Sequence, residues 1–340
     1  MNLIRRLIRR LFGGQRHRLL DRTLDRPKVN RTEIASLEAG EIPAEFLWLS
    51  ADVDRHFHQW LVGVDAFVEQ PLTASETGLL EAFEQLIQGE HGSTNLVPRL
   101  PTVVPQLMRS LKDETITGAR LSRQIEKDPV LVGEAIRLAN SPFYRRRRKI
   151  ESIEQAVVLL GHNGLRQLIA RVAFYPILNL QTGHVTKLVG PRLWSQSEKC
   201  ALVCRCLARK ERSDPFVAYL AGLVNNLGLL VGFRLMDRLL VARPDALPGS
   251  CEFYRRFIAQ AGRLSHRIVE EWGFPEAVAV ALDEKAANRF DDSLSLLGRI
   301  LYVGDEYSKI QILLDVDRMP SEVDLAEMVG DPCYHELTAA

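Results

Sequence analysis

AYLAGLVNNLGLL, residues 218–230, is a nearly all-apolar stretch with two adjacent amides, Asn225 and Asn226, in its middle. Its apolar positions fit a helix buried on every side. Burying an unsatisfied amide costs about 1–3 kcal/mol, so both side chains need partners. Two readings follow: core-edge asparagines bonded to backbone or placed at a helix end, or the remnant of a polar site inside the core. Outward from this stretch nearly every apolar segment repeats at the helical period, and period-2 runs between hairpin turns are not found. The fold class expected is all-α.

The stretch resembles the centre of the HD superfamily, where a His-Asp dyad stands in a run like A-x-L-A-G-L-L-H-D-I-G-K-L. Ala218, Leu220, Ala221, Gly222, Leu223, Leu227 and Gly228 match or nearly match, but the dyad is Asn225-Asn226 and the lysine after it is Leu229. Two neutral amides offer a divalent metal weak carbonyl oxygens and cancel none of its charge. The change argues against metal-dependent phosphohydrolysis.

Three further segments sharpen the resemblance. LPTVVPQLMRSL (100–111), IEKDPVLVGEAIRLANSPFY (125–144) and IESIEQAVVLLGHNGLRQLI (150–169) follow, almost position for position, the pattern of the HDOD family of HD-related output domains. Trp194-Ser195-Gln196-Ser197 is similar to its W-x-H-S element and 271–275, EWGFP, to its R-W-G-L-P element. The resemblance implies a compact multi-helix HD-like domain. Carried over by position, the first ligand's place falls on Gln196, the dyad on Asn225 and Asn226, and the late aspartate on Asp305. Two histidines that some relatives carry fall on Glu284 and Lys285. Gln196, Asn225, Asn226 and Asp305 are thus expected either to line a polar pocket that binds a nucleotide or water, or to tie helices together by hydrogen bonds. No catalytic residue, metal or cofactor is implied.

The formal charge is only +1, but ten Lys/Arg against Asp21 and Asp25 in residues 1–31 put a local +8 at the amino terminus. LIRRLIRRLF (3–12) sets Arg5, Arg6, Arg9 and Arg10 opposite six apolar residues, and Gly13-Gly14 stops it. Such a helix can fray, dock on a partner or lie on an anionic membrane. Arg145, Arg146, Arg147, Arg148 and Lys149 form an exposed basic run suited to phosphates or a partner surface. Segment 152–172 has helix–turn–helix spacing, but Leu165, Leu168, Ile169 and Val172 in its second helix belong to a core, which argues against sequence-specific DNA reading.

Five cysteines, odd in number and without a CxxC pair, argue against a disulfide framework and for a reduced cytosol. No uninterrupted apolar run reaches membrane-spanning length, and arginines break up any secretory signal. Thr73-x-x-Glu76 forms a capping box, and Asp52 or Asp54 resembles a helix start. His56 and His58 show no ligand spacing and read as surface or packing residues; no Walker loop, nucleophile elbow or G-x-G-x-x-G turn is found.

Four segments are expected: the basic helix and linker 1–29, a helical segment 30–95, the HDOD-like domain 96–290, and a helical extension with an acidic tail, 291–340. The function the resemblance implies is non-catalytic bacterial signal transduction through a protein partner. A nucleotide sensor using the degenerate pocket, and a residual phosphohydrolase of cyclic-nucleotide phosphodiesterase type, are the alternatives. The expected location is cytoplasmic, with peripheral contact at the inner membrane face through residues 3–12 as the alternative to a free or partner-docked helix.

Overall fold

The helix starts are written in the sequence. In the computed structural model, Thr73, Ser152, Asp214, Ser250 and Ser295 each accept a backbone N–H of the first turn they precede. Thr73 and Glu76 close the expected capping box, and Gly89, at φ 80°, ends that helix. The structure describes residues 44–89, 96–99, 104–105, 129–140, 150–179, 183–240, 247–287, 293–320 and 331–338. The basic helix 3–12 and the run 145–149 lie outside them.

In chain order the helices are α1 (Ala44–Val62), α2 (Ala74–Gln88), α3 (Pro129–Ala139), α4 (Ile153–Leu178) and α5 (His184–Lys210). There follow α6 (Pro215–Val224), α7 (Leu227–Leu239), α8 (Cys251–Glu271), α9 (Glu276–Ala286), α10 (Leu296–Asp315) and α11 (Pro332–Thr338). Among the described residues the only β pairing is one isolated bridge, Val68 with Ser250. The all-α expectation holds. Asp52 and Asp54 lie inside α1 rather than at its start, because the helix already begins at Ala44.

α5 is the central strut. It packs on α6, α7 and α10 and is buried along most of its length. The opening stretch is two helices, α6 and α7, which meet at Asn225 and Asn226. Their apolar side chains, Leu220, Leu223, Val224, Leu227 and Leu230 among them, are fully buried. Pro215–Leu239 is long and apolar enough to cross a membrane by composition, a point the uninterrupted-run criterion misses. Since 94% of its most apolar window is inside the bundle, its apolarity is that of a core.

Two glycines set how closely these helices approach. A Cβ at Gly222 would stand 2.7 Å from the Ala201 backbone of α5. One at Gly228 would stand 2.0 Å from the Ala261 carbonyl oxygen of α8. Helix crossings this tight exclude any side chain at those two positions.

α1 and α2 lie against this body. α2 packs Phe83 against Phe257 of α8, ring centroids 5.2 Å apart and planes tilted by 37°, and Glu76 accepts the backbone N–H of Gly249 and Ser250 at 3.0 and 2.9 Å. α1 packs on α5 and α10, with the Arg192 guanidinium 4.8 Å from the centre of the Trp60 ring. α4 is broken at Gly161, whose φ of 68° and extended ψ turn the chain inside the segment of helix–turn–helix spacing, 152–172.

One expectation is corrected. Cys206 of α5 and Cys333 of α11 form a disulfide with a Cα–Cα distance of 5.4 Å, across 127 residues of sequence. No spacing motif announces this pair, because the fold alone brings α11 onto α5. Cys200, Cys204 and Cys251 are free thiols.

The glycine approaches predict opposite outcomes for one substitution. Gly228→Ala should lower stability in urea unfolding by about 1–3 kcal/mol through overpacking. Gly78→Ala, at an exposed position of α2 with nothing within 4 Å of a new Cβ, should raise it by about 0.5–1 kcal/mol.

Candidate functional site

The four residues expected to mark the degenerate site meet at one point. Gln196 comes from α5, Asn225 closes α6, Asn226 opens α7 and Asp305 sits in α10. Gln196 is 0% and Asp305 4% exposed, so protein groups rather than solvent must satisfy them. The Gln196 Nε2 donates to Asp305 Oδ1 at 2.8 Å and to Ser308 Oγ at 2.9 Å. Asn225 Nδ2 donates to the same Oδ1 at 2.9 Å. Asn226 Nδ2 donates to Gln196 Oε1 and, at 3.0 Å, to Ser197 Oγ.

The other carboxylate oxygen is held by ammonium groups. Lys285 of α9 and Lys309 of α10 reach Asp305 Oδ2 at 2.8 and 2.7 Å. Lys285 also donates to Asn225 Oδ1 at 2.8 Å, and Lys309 pairs with Asp54 of α1. The Lys309 ammonium stands 5.6 Å from the centre of the Phe57 ring. Two carboxylates and two ammoniums make a locally neutral set.

These partners override burial. Removing Asp305 from water would raise its pKa, but the charges and hydrogen bonds of Lys285 and Lys309 hold it far below the ordinary carboxylate range. Burial would likewise lower the pKa of Lys309, but Asp305, Asp54 and Glu306 push it well above its usual value. His58 of α1, whose Nδ1 donates to the Asp54 carbonyl at 2.6 Å, falls from 6.5 to about 4. Burial is the main cause, and the Lys309 charge adds to it.

A carboxylate offers about four lone-pair positions. Here two amides and two ammoniums take them, which leaves Asp305 no free position for a cation. The surrounding donors are amides, hydroxyls and ammoniums, and no group of three or more His, Cys, Asp or Glu among the described residues stands where it could hold a metal ion. The residues do not fit the metal centre of an HD hydrolase.

The match that decides the family covers residues 97–287, which fit the HDOD domain model over more than half of the chain. The chain belongs to the HDOD domain family. The chain is 32% identical over 136 residues to YuxH of Bacillus subtilis, 40% of this chain and 30% of that protein. It is 23% identical over 190 residues to an uncharacterised protein of Treponema pallidum, 54% of this chain and 36% of that protein. The chain thus spans about a third of the length of these curated relatives.

Solved structures share the HDOD fold. An HDOD domain protein of unknown function from Geobacter sulfurreducens superposes with a TM-score of 0.56 at 20% identity, covering 76% of this chain and 89% of that one. A Shewanella amazonensis protein provisionally described as a metal-dependent phosphohydrolase gives 0.54 at 20% identity, covering 78% and 99%. One from Marinobacter aquaeolei, provisionally described as a signal transduction protein, gives 0.51 at 21% identity, covering 85% and 63%.

Of the two positions that histidines occupy in some relatives, only Lys285 faces the centre. Glu284 turns away and accepts Ser295 N–H and Oγ–H at 2.8 Å each, fixing the start of α10. Lys309, Ser308, Ser197, Asp54 and His58 are not among the expected site residues. Lys309 left a signal, since it stands four residues after Asp305 on one helix face. Asp54 and His58 left none, being some 250 residues away, and His58 is a buried neighbour of the charged set rather than a plain packing residue.

Asp305→Asn should cost about 3–5 kcal/mol in chemical denaturation, because two ammonium groups lose their shared partner in a dry site. Adding Lys309→Met to that variant should restore roughly 1 kcal/mol or more. The His58 shift gives a pH signature. The unfolded chain takes up a proton near 6.5 and the folded one only near 4, so stability is full above 6.5 and falls as pH drops from 6.5 toward 4. His58→Gln should flatten that part of the pH–stability curve.

Proposed function

We propose that this HDOD protein acts in bacterial signal transduction without turnover, as a regulatory module that binds a protein partner. The observation that carries the reading is the saturation of Asp305 by Gln196, Asn225, Lys285 and Lys309. HD-type hydrolysis needs an open metal coordination position to activate water. Here the corresponding carboxylate is committed to the protein itself. The same closed network disfavours a nucleotide sensor, since a ligand entering between Asn225, Asn226 and Gln196 would have to displace buried hydrogen bonds.

The domain keeps the HDOD framework and spends its central polar residues on joining helices. The function then rests on surfaces. The basic run 145–149 and the arginines at 5, 6, 9 and 10 are the contact candidates the sequence offers, for an acidic or phosphate-bearing protein face in the first case and for a partner or anionic membrane in the second.

The test is a paired assay on the full chain. Phosphomonoesters, phosphodiesters and cyclic mono- and dinucleotides are offered with Mg²⁺, Mn²⁺ and Fe²⁺, and thermal shifts are recorded with the same nucleotides. The reading predicts hydrolysis no faster than the buffer blank and no nucleotide-dependent shift in Tm, with a protein captured by in-cell cross-linking. Turnover would overturn it in favour of an enzyme, and a saturable nucleotide shift in favour of a sensor. Changing 145–149 to Gln should weaken the captured complex, with the loss shrinking as salt rises.

A further inference from the structure

α11 is a seven-residue helix, too short to persist in water by itself. Its place depends on what holds it, chiefly α5, with a smaller contact to α10. Cys333, Tyr334 and Leu337 bury completely or nearly so, and Tyr334 meets Tyr307 of α10 edge-on, centroids 6.2 Å apart. Asp331 prepares the helix start: it accepts the Cys333 N–H at 2.7 Å and pairs with Lys210, at the end of α5, at 2.6 Å. The covalent Cys206–Cys333 bond sits in the middle of this small contact.

The remaining cysteines show that the pairing is selective. Cys200 and Cys204 stand one turn apart on the same α5, with Sγ atoms 3.9 Å apart, and both are free thiols in the core. Cys206 and Cys333 are linked across an element that can leave without opening the α5–α6–α7 core.

We propose that Cys206 and Cys333 form a redox-operated clasp that governs whether α11 is docked on α5. In the closing direction the two thiols release two protons and two electrons. A low-molecular-weight disulfide accepts them: its S–S bond breaks, two small thiols leave, and the Cys206–Cys333 bond forms through a mixed disulfide. A dithiol reductant reverses the sequence. Cys333 is fully buried and Cys206 nearly so, so reduction waits on transient separation of α11, an opening its length makes cheap. With the bond gone, docking rests on Tyr334, Leu337 and the Lys210–Asp331 pair. Undocking bares Tyr307 and the Cys206 face of α5, joining thiol state to a change in surface.

The experiment uses the full chain equilibrated with defined ratios of oxidised to reduced glutathione. Non-reducing peptide mapping gives the fraction of Cys206 linked to Cys333, and hydrogen exchange gives the protection of 332–338. The clasp predicts that linkage titrates with the ratio and that amide protection in 332–338 falls roughly tenfold or more on reduction while α6 and α7 are unchanged. Cys333→Ser should show the reduced-state exchange at every ratio. Cys206→Ala should behave alike, which separates loss of the bond from a local effect of either side chain. Failure to link at any ratio overturns the proposal, and so does linkage that leaves the exchange of 332–338 unchanged.

Discussion

A carboxylate at 4% exposure, where α5, α6, α9 and α10 converge, has to be neutralised before those helices can close on it. The cost of stripping water from a charge exceeds that of most single contacts in a fold. Asp305 meets it by taking an amide from Gln196, an amide from Asn225 and an ammonium each from Lys285 and Lys309. Every one of these partners sits on a different helix or turn from most of the others, so satisfying the charge fixes the register of α5 against α10 and of α6 against α9. Asp54 extends the same set to α1.

This arrangement is the basis for proposing that a fold related to HD phosphohydrolases works here without their chemistry. A dication at such a point would draw acidic and imidazole ligands inward from several helices. Two lysines supply positive charge to the same carboxylate from within the chain. In the proposed account the polar centre keeps its architectural work and gives up the open coordination position on which water activation depends. A buried network of this kind specifies one helix arrangement because partial satisfaction would leave a charge unpaired. The regulatory reading follows from that trade.

Much of the helix framework was legible in sequence because its determinants are local. Thr73 with Glu76 reads directly into a capping box, and the helix–turn–helix spacing of 152–172 into the kink at Gly161. The meeting of Gln196, Asn225, Asn226 and Asp305 was legible only through resemblance, since nothing in their spacing brings together residues 30, 80 and 109 apart. Lys309 was within reach, one turn beyond Asp305. Asp54 and His58 were not, because α1 reaches the centre through tertiary packing that no local pattern encodes. The Cys206–Cys333 pair escaped for the same reason: cysteine count and spacing speak to motifs, not to which helix end a distant seven-residue helix will cover.

The most direct measurement on the central account is metal content by elemental analysis, on the whole 340-residue chain purified without chelator or metal-affinity tag and then titrated with Mn²⁺, Fe²⁺ and Zn²⁺. If Lys285 and Lys309 supply Asp305's counter-charge, the protein carries far less than one metal per chain, and the titrations show no saturable site whose loss follows Asp305→Asn. One tightly held metal per chain, released by that substitution, would contradict the account and return the centre to hydrolysis.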